Sequence, residues 1–581
     1  MVRYDKTNFY INGEAIKIVS GAMHYFRIVP EYWEDRLLKL KECGCNCVET
    51  YLCWNLHEKT EGDFDFSGWL DFGKFLDTAN KMGLYAIVRP GPYICSEWDL
   101  GGLPWWLLKY PDIELRCSDK RYLQLCTPYL EKVCEILKPR LITNGGNVIF
   151  MQIENEYGSY SNDKAYLKWL KNFYEDRGIN CGFITSDGET DIHLKNGTLD
   201  GVLASVNYRK DSQRCITSLK QFKNEQPGAV MELWNGKAMH WGEEFERRDI
   251  DEVQESVRSA LDCAELVNLY MFHGGTTFGF MNGSLDFGEK FSVQMTSYDV
   301  DAPLDEYGRR TPKYYAEQEV ISEALGKKII NTATDTILYS YEEARFCGEC
   351  SLKESGIPID SFNSAAPKPM EFFNQGYGYI IYEAEFFAGK MGSTVHFPEI
   401  HDIAHIYIDG QYTKTLERYS AEKNVELTGG EHRMAILVEN LGRVNHGVKL
   451  KDYKGIVGSI VLHDKLYGIN NILSCFKVYT LPIETLPESF TGMAIENQPA
   501  FYKYEFIAEL PQDTVMHLNG FTRGVAFING INLGRHWDIE NSENKLFIPA
   551  PFIKQGINEI IVFDVLHKDA EKQIIFGEFA N

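Results

Sequence analysis

The sequence lacks any run of 18 apolar residues, which excludes a membrane-spanning helix. It is also poor in basic charge. Lys and Arg number 59 against 83 Asp and Glu, a formal net charge of −24, and that balance argues against nucleic acid and anionic membranes as partners. No apolar signal core follows the opening Met-Val-Arg-Tyr-Asp-Lys-Thr-Asn, so a cytoplasmic protein is expected unless a signal has been removed. Cys347 and Cys350 form a lone C-x-x-C pair without a second pair or His partners, and H-E-x-x-H is absent; no metal and no cofactor are expected. The 14 cysteines are not scarce. However, Cys47, Cys53, Cys126, Cys134, Cys215 and Cys263 fall within expected strands and helices. That is the placement of buried thiols in a reducing compartment rather than of a disulfide framework.

What is present is material for large cores. Hydrophobic residues make up 44% and aromatics 13% of the chain, and the length calls for two or three domains. Aromatic rings also stack on sugar faces, although core packing explains most of them. Through about residue 330, short apolar runs alternate with amphipathic stretches, the signal of βαβ units. Strands are expected at 16–24, 46–54, 84–93, 148–156, 183–187, 202–207, 229–234 and 269–274. Helices are expected at 31–42, 70–81, 122–137, 164–176 and 253–266. Eight strands with intervening helices indicate a TIM (β/α)8 barrel over 1–330.

Beyond it, glycine-rich turns and alternating strands replace helices. A linker is expected at 331–370, a first β-sandwich at 371–485 and a second at 486–581, both of jelly-roll type. A weak internal repeat supports two related units. Tyr379-Ile-Ile-Tyr-Glu-Ala-Glu-Phe386 resembles Phe501-Tyr-Lys-Tyr-Glu-Phe506. Ala404-His-Ile-Tyr-Ile-Asp-Gly410 resembles Val525-Ala-Phe-Ile-Asn-Gly530, with hairpin signals at Asp-Gly and Asn-Gly.

The most informative segment is Asn147 to Tyr160, where the apolar run Val148 to Met151 leads into Gln152, Glu154, Asn155 and Glu156. Carboxylates at the end of a buried parallel strand are costly unless they are used, and the C-terminal end of barrel strands is where such folds keep their chemistry. A second carboxylate, Glu232, ends the seventh expected strand. Two carboxylates can cleave a glycosidic bond, one as a proton donor of raised pKa and one as an ionised nucleophile. Glu156 suits the acid/base role and Glu232 the nucleophile. Strand alternation would set Glu154 on the same side as Glu156 but deeper, as a structural acceptor. Glu49, Glu58 and Glu97 lie near other strand ends, and Glu97 is placed to accept sugar hydroxyls.

These residues carry a resemblance. Ser20-Gly-Ala-Met-His-Tyr-Phe-Arg27, Val48-Glu-Thr-Tyr-Leu-Cys-Trp-Asn55, Val88-Arg-Pro-Gly-Pro-Tyr-Ile-Cys-Ser-Glu-Trp98, Gln152-Ile-Glu-Asn-Glu-Tyr-Gly158, Tyr270-Met-Phe-His-Gly-Gly-Thr276 and Thr296-Ser-Tyr-Asp299 make the chain resemble the family 35 glycoside hydrolases. That is the β-galactosidase family, and the likeness is to its short bacterial members, some of which prefer β-1,3-linked galactose. The resemblance implies a retaining double displacement with Glu156 as acid/base and Glu232 as nucleophile. It implies that Tyr51, Ile94, Cys95, Ser96, Glu97, Asn155 and Tyr298 hold the terminal sugar. Trp234, Phe280 and Lys237 complete the expected substrate-binding set, and Tyr453 and Lys454 are candidates for leaving-group contacts.

The chain departs from the family at Val300, where many members carry Tyr, at Phe280, where some carry Tyr, and at Lys237, where an aromatic is common. The expected substrate is therefore an oligosaccharide with terminal β-galactose, cleaved by an exo-β-galactosidase. The alternatives are the same machinery acting on another β-hexoside or as a transglycosylase, and a glycan-binding protein without catalysis. Nothing in the sequence sets the oligomeric state.

Overall fold

The structure is a computed structural model that describes residues 2–328 and 330–578. Eight parallel strands close into a barrel: β1 (Ile18–Met23), β2 (Cys47–Tyr51), β3 (Tyr85–Arg89), β4 (Val148–Gln152), β5 (Gly182–Gly188), β6 (Leu203–Tyr208), β7 (Ala229–Trp234) and β8 (Leu266–His273). Each pairs with its neighbour in sequence, and β8 pairs with β1 to close the ring. Strands β1, β2, β4, β6 and β8 are buried along their whole length, as expected for parallel strands covered on both faces. Gly182 opposes Phe150 in the β4–β5 pair. A Cβ there would fall 2.4 Å from the Phe150 ring, so glycine lets that ring fill the barrel floor.

The five helices expected from the sequence run Trp33–Glu42, Phe72–Lys81, Lys120–Leu137, Lys164–Asp176 and Ile250–Cys263, and further helices, among them Ser212–Phe222 and Pro312–Leu325, accompany them. Of those five, the last four each begin at an aspartate (Asp71, Asp119, Asp163 and Asp249) whose carboxylate accepts from first-turn amides. Such caps satisfy donors that the helix cannot.

Three strands end well before their expected limits: β2 at Tyr51 rather than at 54 and β3 at Arg89 rather than at 93, and the third bears on the site. β4 ends at Gln152 rather than at Glu156, because Glu154 and Glu156 take left-handed backbone with φ of 58° and 45°. Strand alternation therefore does not set the relation of Glu154 to Glu156. The bent segment stays tied to β5 through Ile153 N–H to the Ile184 carbonyl and Glu156 N–H to the Ser186 carbonyl.

The rest of the described chain is all-β. A six-stranded sheet containing Tyr379–Ala388, Gly430–Glu439, Ile403–Ile408 and Gln411–Glu417, in that order, belongs to the first unit. A five-stranded sheet containing Ala500–Ala508, Gly556–Asp564, Arg523–Ile528 and Ile531–Trp537 belongs to the second. The two orders correspond strand for strand, so the repeat seen in the sequence is a repeat of topology. The hairpins turn at Asp409-Gly410 and Asn529-Gly530, all with positive φ, the conformation that Asp-Gly and Asn-Gly accept most readily.

The stretch 331–370 is not a plain linker. Arg345–Ser351 pairs with Ala500–Ala508 in the second unit, and Ser361–Ser364 pairs with Phe476–Leu481 in the first. The chain crosses from the barrel to the far unit, adds an edge strand there, and only then builds the first unit. Tyr379, Leu437, Phe501, Phe527 and Phe563 meet the barrel's Phe280 in one apolar seam.

Candidate active site

The mouth of the barrel gathers Glu156, Glu232, Asn155 and Tyr51, as the sequence suggested, around a cation that it did not single out. Arg89 ends β3 and is buried. Its Nη2 donates to Glu232 Oε1 at 2.6 Å and to Asn155 Oδ1 at 2.5 Å. Its Nη1 lies 3.7 Å from Glu49, and its guanidinium carbon sits 4.0 Å from the centre of the Tyr51 ring. Tyr51 Oη adds bonds to Asn155 Oδ1 at 2.9 Å and Glu232 Oε1 at 3.2 Å. Asn155 Oδ1 also accepts from Gln152 Nε2 at 3.1 Å. With its oxygen facing donors only, the Asn155 amide nitrogen is left to donate towards a ligand.

The two carboxylates occupy unlike environments. Glu232 meets donors alone: Arg89 and Tyr51 on Oε1, and Trp234 Nε1 on Oε2 at 2.9 Å. Glu156 has no such cluster. Its Oε1 accepts from Asn207 Nδ2 at 2.9 Å. Although its edge opens to the mouth, protein surrounds it on most sides. Burial, reinforced by the charge of Glu232, raises its pKa from 4.5 to about 8 against the smaller lowering effects of Asn207 and Arg89. Burial likewise raises Glu49, beneath Arg89, to about 7.

Glu154 is withdrawn from this pair. It is buried, bridged to Arg116 Nη2 at 2.8 Å and bonded by Tyr166 Oη at 2.9 Å. Arg116 also holds the Asn155 carbonyl at 2.6 Å. Asp187, at the end of β5, accepts the Gly158 N–H at 2.8 Å and fixes the turn that follows Glu156.

A second wall is built from 94–97. Cys95, Ser96 and Glu97 are three consecutive left-handed residues with φ of 56°, 57° and 45°. For L-residues that geometry costs roughly 1–2 kcal/mol each, and the surroundings hold it in place. Arg27 donates to Ser96 Oγ at 2.9 Å and to the Ser96 carbonyl at 2.6 Å. Glu97 accepts from Tyr298 Oη at 2.6 Å, and the Tyr298 ring lies 3.9 Å from the Arg27 guanidinium carbon. The first β-unit braces this loop from outside. Arg443 N–H donates to Asp99 Oδ1 at 2.7 Å, Tyr93 Oη donates to the Asn445 carbonyl, and Asn445 Nδ2 lies 3.6 Å from Cys95 Sγ.

Other expected residues fall elsewhere. The Ile94 side chain is fully buried beside Gly102 and can offer a ligand only its backbone. The Phe280 ring is turned into the seam between barrel and β-units, with Tyr379 and Arg535 as neighbours, since an aromatic at that contact gains more from burial than from the mouth. Lys237 points to Glu243 and Glu246, at 3.9 and 3.8 Å. Lys454 is completely buried and pairs with Asp402 and Asp452, so it is no leaving-group contact. Tyr453 is engaged by its carbonyl with His401 and by its ring with Phe372.

Arg89 and Asn207 are the functional neighbours that the sequence reading did not assign. Their signal was the one used for the glutamates, a polar residue closing a buried strand.

Two carboxylates in unlike surroundings at the mouth of a closed barrel are the equipment of glycoside cleavage, and the family match gives the class of the protein, a glycoside hydrolase. More particularly, the chain belongs to glycosyl hydrolases family 35, whose family model matches residues 8–324. The model described as the first all-beta domain of beta-galactosidase matches 367–481, and that of its galactose-binding domain matches 499–558. The chain is 37% identical to human "Beta-galactosidase-1-like protein 2" over 96% of its own length and 88% of that protein. It is 37% identical to a beta-galactosidase of Xanthomonas manihotis over 92% and 89%, and 34% identical to that of Bos taurus over 100% and 93%. Animal and bacterial relatives are thus equally near, which leaves the short bacterial type without special support.

Proposed function

We propose that the protein is an exo-acting, retaining β-galactosidase that releases terminal non-reducing β-D-galactose from small oligosaccharides, with β-1,3 linkages among its substrates. The observation that carries the mechanism is the inequality of the two carboxylates. Glu156, raised to about 8 by burial, keeps a proton to give to the leaving oxygen. Glu232, met only by donors and by the Arg89 charge, is dressed as an anion and attacks the anomeric carbon. Water then resolves the glycosyl-enzyme, with Glu156 as base. The free amide nitrogen of Asn155 faces the 2-hydroxyl, and Glu97, steadied by Tyr298, accepts from hydroxyls farther round the ring. The choice of galactose rests on the names of the relatives. Val300 brings no hydroxyl to the pocket, so the choice is tested directly.

Nitrophenyl β-galactoside, β-glucoside and β-glucosaminide are compared as substrates, with galactoside turnover expected and its absence decisive against the reading. Incubation with an activated 2-deoxy-2-fluoro-galactoside should label a peptide containing Glu232. A label on another carboxylate removes Glu232 as nucleophile, and an α-configured first product in NMR removes retention. A galactoside bound but not cleaved leaves the non-catalytic alternative standing.

A further inference from the structure

A cavity of about 560 Å³ lies between barrel segments at Leu115, Tyr160 and Gly288 and the first β-unit at Tyr419, Lys423 and Val448. Its volume is within the range of about 300–1,000 Å³ typical of small-ligand sites. The charges on its walls are mutually neutralised. Arg418 binds Asp286 at 3.0 Å and Asp452 at 2.7 Å, and Lys449 and Lys451 pair with Asp286 and Glu114, each at 2.7 Å. Paired charges of both signs present hydrogen-bond donors and acceptors without a net field, which suits an uncharged polyhydroxylated ligand and not a phosphate. Tyr160 and Tyr419 add ring surface of the kind that stacks on a sugar.

Two chains of contacts link the walls of this cavity to the candidate site. Through the barrel, the Tyr160 ring carries the Arg116 guanidinium at 4.2 Å, and Arg116 donates to the Asn155 carbonyl at 2.6 Å. Two contacts therefore separate the cavity wall from the sugar-facing asparagine. Through the β-unit, His446 lies 3.6 Å from Cys95 Sγ at the rim of the mouth. A few residues on, the same loop places Val448, 82% exposed, at the cavity and clamps Lys451 to Glu114.

We infer that this cavity binds the sugars of the leaving group beyond the first. The preferred substrates are then neutral galactose-capped oligosaccharides longer than a disaccharide. The inference rests on the galactosidase reading and specifies its substrate. The test compares kcat/KM for nitrophenyl β-galactoside, a β-galactosyl disaccharide and a tetrasaccharide with the same terminal linkage. It uses the wild type, Val448→Trp, which fills the cavity from an exposed position, and Lys423→Ala, which removes a lining amine.

The wild type should favour the tetrasaccharide over the disaccharide by about two- to tenfold, the range of one net hydrogen bond. Val448→Trp should erase that advantage and Lys423→Ala should reduce it, both with nitrophenyl galactoside turnover unchanged. Equal wild-type values for the two oligosaccharides, or an advantage that survives Val448→Trp, overturn the inference. If no galactoside is cleaved, the galactosidase reading fails instead. The cavity is then judged by titrating the galactose-free trisaccharide calorimetrically, where binding by the wild type and not by Val448→Trp supports it and the absence of binding overturns it.

Discussion

Asn207→Ala tests the proposed proton donor, Glu156. In the wild type, Asn207 Nδ2 donates to Glu156 Oε1 at 2.9 Å. A donor favours the charged form of its acceptor and so opposes the burial that raises Glu156 to about 8. Hydrogen bonds to charged groups are worth about 1.5–3 kcal/mol and one pKa unit about 1.36 kcal/mol, so loss of the donor alone should raise Glu156 by one to two units. Water entering beside the half-open carboxyl will replace part of the bond, which favours the lower figure, about one unit. Glycoside cleavage needs the protonated form to release a poor leaving group. The alkaline limb of kcat/KM on a galactosyl disaccharide should therefore move up by about one unit, while the rate near neutrality changes little through protonation. An aryl galactoside, whose leaving group needs less help, should show the shift weakly. A limb that stays in place or moves down refutes either the role of Glu156 or the contact with Asn207. Asn207→Asp, which sets a carboxylate against a carboxylate, should shift the limb in the same direction and further.

Arg89→Met leaves Glu232 and Glu49 without their buried counter-charge, and such losses cost about 3–5 kcal/mol; urea unfolding showing less than about 1 kcal/mol would contradict the packing described. Gly182→Ala forces a methyl against the Phe150 ring, 2.4 Å away. It should cost about 1–3 kcal/mol, partly restored in denaturant melts by adding Phe150→Leu. Glu156→Gln should stabilise the fold in a pH-dependent way. The folded-state pKa of Glu156, about 8, lies above the usual 4.5, so the wild type loses stability as pH rises through that interval and the variant does not. Melting temperatures should coincide near pH 4 and diverge in favour of Glu156→Gln by about pH 8; a gap that narrows with rising pH goes against the raised pKa.

Much of the fold was written in local pattern. Runs such as Val148 to Met151, short and alternating with amphipathic stretches, mark strands covered on both faces, and the amphipathic stretches mark the helices between them. The two β-units betray their kinship through hairpins at Asp409-Gly410 and Asn529-Gly530. The edge strands within 331–370 were not legible, because their partners lie some 110 to 160 residues later and Arg345–Ser351 carries little apolar alternation. At the site, Glu156, Glu232, Tyr51, Glu97 and Tyr298 could be named from strand-end position or resemblance. Phe280, Ile94 and Lys454 could not be excluded in the same way, since the direction of a side chain depends on what packs against it.

By itself the sequence determined the kind of chemistry. Placing carboxylates at the ends of buried strands is expensive, and the expense is intelligible only in an enzyme that uses them. Only the tertiary structure decided how the labour divides. The left-handed bend after Gln152 carries Glu154 to Arg116 and leaves Glu156 beside Asn207. Arg89, arriving from another strand, forms with Glu232 the direct ion pair that Glu156 does not have. The surroundings of a carboxyl are set by neighbours that are distant in sequence, and the two glutamates acquire the unlike surroundings that their proposed roles require only once the barrel has closed around them.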